Sequence, residues 1–297
     1  MTALRRITGT LCAGVLLIAC SSSPDPQRSG APPVVTPPVA PPATTPAAPI
    51  PSPVGSPASG PSTYLALGDS VAAGVGAVMP SSGGYVPVLA ALLSQRLGCD
   101  AGAAPGCPLQ VRNLAESGAT TGSLSRRQLP RALELLRTSP DVRLVTLTVG
   151  GNDVFEPVLR ACARAPQDPS CAAAVTSSLR QADQRVDEVL RALAAALRPG
   201  TTLAVMAYYD PIPACRLAPL SRLTDRVLEG SGGEPGLTDV LRARAAQHGA
   251  LVVETRQRLA VPGSFVGNDD CLHPSAAGHA RIAAAFLDVV GSLVTRR

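Results

Sequence analysis

The chain has 297 residues and a formal net charge of +5, and all 26 of its basic residues are arginine. The arginines are interspersed with acidic residues, as between Arg180 and Glu188, which is typical of a solvated face and excludes a nucleic-acid-binding stripe. Tryptophan is absent, and only four tyrosines and three phenylalanines are present. This shortage disfavours a long polysaccharide cleft built on aromatic side chains.

Residues 1–19 predict an export signal that ends at a lipidation site. Two arginines near the N-terminus precede an apolar run from Leu11 to Ala19, which is too short to span a bilayer. The sequence Leu17-Ile18-Ala19-Cys20 resembles the lipobox of bacterial lipoproteins, in which the cysteine is acylated. We therefore expect export and anchoring through Cys20 to the outer face of a bacterial membrane or cell envelope. An ordinary signal peptide cleaved elsewhere is the alternative.

Residues 20–61 predict an extended linker after the lipidated cysteine. Fourteen of the 30 prolines lie between Pro24 and Pro61. Such a segment builds no core and favours polyproline conformation at about 3.1 Å per residue, so it would reach on the order of 100 Å. We expect one folded domain over residues 62–297, which is long enough to bury a sizeable core.

The folded part alternates short apolar strands with longer helical patterns. The predicted strands are Tyr64–Leu67, Val111–Leu114, Arg143–Val149, Thr202–Ala207 and Leu251–Glu254. The predicted helices are Tyr85–Leu97, Leu124–Arg137, Ala172–Leu197 and Pro274–Val294, with Pro274 in the first turn of the last helix. This alternation predicts a parallel sheet covered by helices on both faces.

Six cysteines remain once Cys12 is assigned to the signal and Cys20 to the anchor. They are Cys99, Cys107, Cys162, Cys171, Cys215 and Cys271. An even number in an exported domain predicts three disulfides, for which 15 pairings exist. The simplest pairing joins sequence neighbours, namely Cys99–Cys107 and Cys162–Cys171, and leaves Cys215–Cys271. A metal site is the alternative, but no two cysteines have CxxC spacing.

Polar motifs follow the predicted strands. The motifs are Gly68-Asp69-Ser70 after the first strand, Asn113 to Gly118 after the second, Gly150-Gly151-Asn152-Asp153 after the third, and Asp270-Cys271-Leu272-His273 after the last strand and a loop. Loops that leave the carboxyl ends of parallel strands share one edge of the sheet, where ligands bind. We therefore expect the four motifs to meet at one site.

The residue types in these motifs suit acyl transfer. The Ser70 hydroxyl becomes a nucleophile only when a base takes its proton, and His273 is the candidate base. Asp270 would accept a hydrogen bond from the other ring nitrogen of His273 and fix its tautomer. The backbone N–H groups of Ser70 and Gly118 and the side-chain amide of Asn152 are the candidate oxyanion donors. This chemistry requires neither a metal nor a cofactor.

Other polar residues are expected to serve the structure. Asp69 and Asp153 are predicted to hold the loops by hydrogen bonds. His248, before a glycine, is predicted to end a helix, and His279 to lie within the last helix.

In this order and at these separations, the four motifs resemble the four blocks of the SGNH/GDSL hydrolases over the whole folded domain. The resemblance implies a flavodoxin-like three-layer α/β/α sandwich with a mostly parallel five-stranded sheet, and a Ser70-His273-Asp270 triad that acts on esters or thioesters. In some relatives a backbone carbonyl orients the histidine instead of an aspartate. The six cysteines resemble the secreted three-disulfide branch of bacterial lipases and esterases. Val71 stands where the family name has leucine, a position that varies.

The expected function is hydrolysis of carboxylic esters by a monomeric esterase or lipase that meets a small-molecule or lipid ester at the envelope. A deacetylase of cell-wall or other carbohydrate esters is the alternative within enzymes. A non-catalytic surface lipoprotein that binds lipid or wall polymer is the alternative outside them, and the intact motif set counts against it.

Overall fold

The computed structural model describes residues 62–99, 107, 109–162, 165–267 and 270–294. The predicted signal peptide, Cys20 and the proline-rich linker lie outside the described residues. Within the described part of the chain, no helix has the length and apolar character needed to cross a membrane.

Five parallel strands form the central sheet. They are β1 (Thr63–Gly68), β2 (Gln110–Asn113), β3 (Val142–Thr148), β4 (Thr202–Ala207) and β5 (Leu251–Glu254). Their spatial order is β2-β1-β3-β4-β5, the flavodoxin-like order, and every neighbouring pair is parallel. β1 is buried along its whole length, as expected for a central strand covered on both faces. The predicted fold class is therefore confirmed.

Eleven α-helices surround the sheet in the described residues. They are α1 (Ser70–Ala73), α2 (Pro80–Gly83), α3 (Tyr85–Arg96), α4 (Thr121–Arg127), α5 (Leu129–Thr138), α6 (Gly151–Cys162), α7 (Pro169–Ala196), α8 (Ser221–Glu229), α9 (Leu237–Gln247), α10 (Arg256–Leu259) and α11 (Ala276–Val294). α3 packs against α11, whereas α7 packs against α5, α6 and α9. Both α9 and α11 contact β4 and β5. The two groups of helices thus form the outer layers of the sandwich.

The last helix begins later than its sequence predicts. Pro274 is the final residue of β7 (Asp270–Pro274), which pairs antiparallel with β6 (Phe265–Gly267), and α11 starts at Ala276. The prediction that Pro274 opens the helix was wrong because pairing with Phe265 draws it into a hairpin. The predicted helix Leu124–Arg137 is likewise divided into α4 and α5, with Gln128 between them and a proline near the start of α5.

The three disulfides join sequence neighbours, as the simplest pairing predicted. They are Cys99–Cys107, Cys162–Cys171 and Cys215–Cys271, with Cα–Cα distances of 5.5, 4.8 and 5.4 Å. The second links the end of α6 to the start of α7. The third ties the segment after β4 to β7, and so braces the loop that carries Asp270 and His273.

Candidate active site

The structure brings Ser70, His273 and Asp270 into one chain of hydrogen bonds at the carboxyl edge of the sheet. Ser70 is the first residue of α1, directly after β1. Its Oγ lies 2.9 Å from His273 Nε2, and His273 Nδ1 lies 2.7 Å from Asp270 Oδ2. Residues 203 positions apart in the chain therefore meet within proton-transfer distance.

The carboxylate of Asp270 is held by the backbone of its own loop. Its Oδ1 accepts hydrogen bonds from the N–H groups of Leu272 at 2.9 Å and His273 at 3.1 Å. Partial burial acts to raise the pKa of Asp270, but these hydrogen bonds and the contact with His273 outweigh it and lower the pKa. The partner of His273 Nδ1 is thus an ionised carboxylate at neutral pH.

Three candidate oxyanion donors border the same cleft. Ser70, Gly118 and Asn152 line it, and the backbone N–H groups of Ser70 and Gly118 have no acceptor among the described residues. Gly118 has a φ of +75°, a left-handed conformation that favours glycine. Asn152 Nδ2 donates one hydrogen bond to Ala119 O at 3.0 Å, which fixes the amide while its second N–H remains for a ligand.

The cleft encloses about 160 Å³ and has a mixed lining. Apolar or aromatic walls come from Phe155, Tyr208, Tyr209 and Leu272, facing the polar groups of Ser70 and His273. A larger groove of about 340 Å³ lies beside α7 and α9, but it contains none of the four motifs. The smaller cleft is therefore the candidate active site.

Asp69 fixes the turn that presents Ser70. Asp69 is 2% exposed, and its carboxylate accepts hydrogen bonds from Val71 N at 3.0 Å, from Thr148 Oγ1 at 3.1 Å and from the hydroxyl of Tyr208. Burial raises the pKa of Asp69, and the three donors oppose that rise. The residue caps α1 and joins the ends of β1, β3 and β4 beneath Ser70.

Asp153 and Gln128 hold the neighbouring backbone. Asp153 accepts from Thr121 N at 2.8 Å and Thr121 Oγ1 at 2.6 Å, which ties the loop after β3 to the loop after β2. The buried amide of Gln128 accepts from Gly68 N and donates to Gly68 O, both at 2.8 Å. Sequence analysis anticipated a structural role for the aspartate but missed the glutamine, which no motif marks.

Two tyrosines directly after β4 were also missed. Tyr208 reaches Asp69, and Tyr209 donates from its hydroxyl to Leu272 O at 3.0 Å, beside His273. The signal available in the sequence was their position, because they leave a fourth strand at the same edge as the motifs.

The other two histidines, His248 and His279, take no part in the hydrogen bonds that link Ser70, His273 and Asp270. His279 is fully buried in α11; its Nδ1 accepts from Tyr85 N at 3.2 Å, and its Nε2 lies 2.9 Å from Val75 O. His248 caps the end of α9 and contacts Asp187 at 2.7 Å.

The fold and this site define a flavodoxin-like α/β protein with a serine–histidine–aspartate hydrogen-bond chain at the sheet edge. Residues 66–281 match the GDSL-like lipase/acylhydrolase family, and the chain belongs to that family. As a member, it is a carboxylic ester hydrolase. A search of curated protein sequences gave no match.

Several solved structures share the fold. A lipase from a goat rumen metagenome has a TM-score of 0.53 at 17% identity, covering 76% of this chain and 96% of its own. An extracellular lipase from Streptomyces rimosus has a TM-score of 0.50 at 22% identity, and the match covers 78% of this chain and 99% of the lipase. A catalytic mutant of an acetylxylan esterase from Geobacillus stearothermophilus has a TM-score of 0.52 at 19% identity, and the match covers 78% of this chain and 96% of the esterase.

Proposed function

We propose that the chain is an exported serine esterase in which Ser70 attacks the ester, His273 transfers the protons and Asp270 orients the histidine. The observation that carries this proposal is the continuous hydrogen-bond chain from Ser70 Oγ through both ring nitrogens of His273 to Asp270 Oδ2. A buried aspartate pair or a lone exposed serine would not supply both a nucleophile and a base.

The first half of the reaction forms an acyl-enzyme. Ser70 Oγ bonds to the ester carbonyl carbon while its proton passes to His273 Nε2, and the carbonyl oxygen becomes an oxyanion. The N–H groups of Ser70 and Gly118 and the free N–H of Asn152 stabilise that oxyanion. The tetrahedral intermediate then expels the alkoxide, which takes the proton from His273 and leaves as the alcohol.

The second half restores the enzyme by the same groups. A water molecule gives a proton to His273 Nε2 as its oxygen bonds to the acyl carbon. Collapse of the second tetrahedral intermediate breaks the bond to Ser70 Oγ, which recovers its proton from His273, and the carboxylic acid leaves. The ionised Asp270 stabilises the imidazolium in both halves, because its lowered pKa keeps it charged.

The lining of the cleft favours a longer acyl chain over an acetyl group on the carbonyl side of the ester. Phe155, Tyr209 and Leu272 offer apolar surface, which is worth about 25 cal/mol per Å² of apolar area buried. We therefore expect kcat/KM to be higher for a medium-chain p-nitrophenyl ester than for p-nitrophenyl acetate. Strict preference for acetyl would support the deacetylase alternative instead.

Substitution tests the roles directly. Ser70→Ala should abolish turnover, and Asp270→Asn should lower kcat by on the order of 10²–10⁴, because the asparagine no longer holds the correct tautomer. Ser117→Ala is the matched control, since Ser117 lines the same cleft but makes no contact with His273 that the proposal uses. The proposal fails if Ser70→Ala retains the kcat of the wild type while Ser117→Ala loses it.

Export and anchoring are part of the same proposal. They are supported by the basic and apolar N-terminus that ends at Cys20, and by three disulfides, which persist in oxidising compartments. An enzyme held at the envelope in this way would act on esters outside the cytoplasm.

A further inference from the structure

Exposed apolar side chains are concentrated beside the candidate active site. Among the described residues, the large apolar side chains that are exposed are Val78, Met79, Val111, Val261, Val266 and Leu272. All except Val111 belong to the loop after α1 or to the segment between α10 and the end of β7. We call these five residues the apolar rim. One exposed valine needs no explanation, but a cluster beside a cleft marks an interaction surface.

The loop after α1 contacts the β6–β7 hairpin next to His273. Gly76 packs so closely that a Cβ there would lie 2.1 Å from Pro274 O, 3.0 Å from Val266 Cγ2 and 3.1 Å from His273 Cβ. Leu272, on the other side of His273 in sequence, lines the cleft itself. Val266 and Leu272 therefore lie at the mouth of the cleft, and the loop that carries Val78 and Met79 packs against the same hairpin.

The loop that carries the most exposed rim residues is pinned at both ends. The buried ring of His279 bonds to Val75 O and to Tyr85 N, the residues that bracket the loop. Between these anchors Val78 is 90% exposed and Met79 62% exposed. The loop is fixed while its apolar side chains remain in water, so their exposure is a feature of the folded state rather than of a loose segment.

Four of the five rim residues lie within sequence that carries no charge, whereas Leu272 lies two residues after Asp270. No Asp, Glu, Arg or Lys occurs between Ser70 and Gln95, nor between Leu259 and Gly267. Transfer of this surface into an apolar phase therefore desolvates no ionised side chain of these segments. By contrast, Val111 lies on the edge strand β2 directly before Arg112.

We propose that the apolar rim docks on a lipid surface and places the mouth of the cleft against it. The inference rests on the proposed function, and it specifies the substrate as an ester held in a lipid layer rather than free in solution. A lipid surface fits because shallow insertion buries exposed apolar side chains, and four of the five rim residues lie in uncharged sequence. A second copy of the chain fits poorly, because it would cover the mouth of the cleft.

The absence of tryptophan in the chain provides a direct test. The full chain with Val78→Trp carries a single tryptophan, on the rim, and the matched control Val111→Trp carries a single tryptophan on β2. With phosphatidylcholine vesicles, the emission of Val78→Trp should move to shorter wavelength and be quenched by brominated lipid, whereas that of Val111→Trp should not change. The control carries the same N-terminal anchor, so tethering alone cannot produce the difference.

Two results would overturn the inference. The first is an emission spectrum of Val78→Trp that vesicles leave unchanged. The second is a shift already present in buffer that grows with protein concentration, which would identify a second copy as the occupant. This measurement requires no turnover, so loss of the proposed reaction and loss of docking are separate outcomes.

Activity provides the second measurement. Val78→Ser/Met79→Ser should lower hydrolysis of a long-chain p-nitrophenyl ester carried in phosphatidylcholine vesicles several-fold, and leave hydrolysis of soluble p-nitrophenyl acetate unchanged. Val111→Ser should alter neither. Equal losses on both substrates would show that the loop acts inside the cleft, and would contradict docking.

Discussion

Two neighbouring tyrosines, Tyr208 and Tyr209, donate hydrogen bonds to acceptors of different charge. Tyr208 donates to the buried carboxylate of Asp69, whereas Tyr209 donates to a neutral backbone carbonyl. Both tyrosines are almost fully buried beside the cleft. Substituting each tyrosine in turn therefore compares a hydrogen bond to a charged acceptor with one to a neutral acceptor in similar surroundings.

We predict that Tyr208→Phe is the more destabilising of the two substitutions. It leaves a buried carboxylate short of a donor, which should cost about 1.5–3 kcal/mol, whereas Tyr209→Phe should cost about 0.5–1.5 kcal/mol. Urea unfolding of both variants measures the difference. A larger loss in Tyr209→Phe would mean that Asp69 does not depend on Tyr208.

At the scale of the elements, the β6–β7 hairpin is the part of the site with least support from the sheet. β7 carries Asp270 and His273, yet it pairs only with the three-residue strand β6. The Cys215–Cys271 disulfide and the hydrogen bond from Tyr209 to Leu272 O attach it to the segment after β4.

We predict that removing this disulfide lowers activity more than removing another. Cys215→Ser/Cys271→Ser should reduce kcat, because the disulfide no longer holds β7, and with it His273, at a fixed distance from Ser70. Cys99→Ser/Cys107→Ser is the matched control, since it removes a disulfide outside the cleft. Equal losses of kcat, measured at a temperature where both variants are folded, would argue against a positioning role for the Cys215–Cys271 disulfide.

The stability that His279 of α11 contributes through its hydrogen bonds to Val75 and Tyr85 should depend on pH. Burial lowers the pKa of His279, so the folded chain holds the ring neutral, whereas the unfolded chain binds a proton near pH 6.5. Its contribution to stability is therefore present above pH 6.5 and is lost as the pH falls towards the lowered value.

We predict that the free energy of unfolding of the wild type falls more steeply between pH 7 and pH 5 than that of His279→Gln. The extra slope is at most about 1.4 kcal/mol per pH unit for one proton. Glutamine retains one donor and one acceptor but does not titrate. Parallel curves in urea unfolding across this range would show that His279 is not the group responsible.

The elements also show what the sequence could predict. All five sheet strands were located. The central strands β1, β3 and β4 are apolar runs, as expected for parallel strands covered on both faces, whereas β2 is a short exposed edge strand. The helix α6 was missed because Pro157 lies inside it. The hairpin was missed because its strands are short and Pro274 was assigned to the first turn of the last helix. Order and spacing of the motifs identified the residues that meet at Ser70, but not Gln128 or the tyrosines, which act through tertiary contacts.

At the scale of the whole molecule, the lipobox sequence that ends at Cys20 predicts an N-terminal lipid anchor. We predict that the wild-type chain incorporates labelled palmitate in a bacterial host and that Cys20→Ser does not. Cys12→Ser is the matched control and should retain the label, because its cysteine lies within the apolar run of the signal. Label that persists in Cys20→Ser would place the acyl group elsewhere or exclude the lipobox.

The central claim is that Ser70, activated by His273, forms a covalent bond with the acyl group. A fluorophosphonate probe followed by mass spectrometry of the labelled peptide tests it most directly, because the probe bonds to a serine only when a base activates it. We predict an adduct on Ser70 in the wild type, no adduct in Ser70→Ala, and a much slower reaction in His273→Ala. A folded wild type that remains unlabelled, or an adduct on another residue, would contradict it.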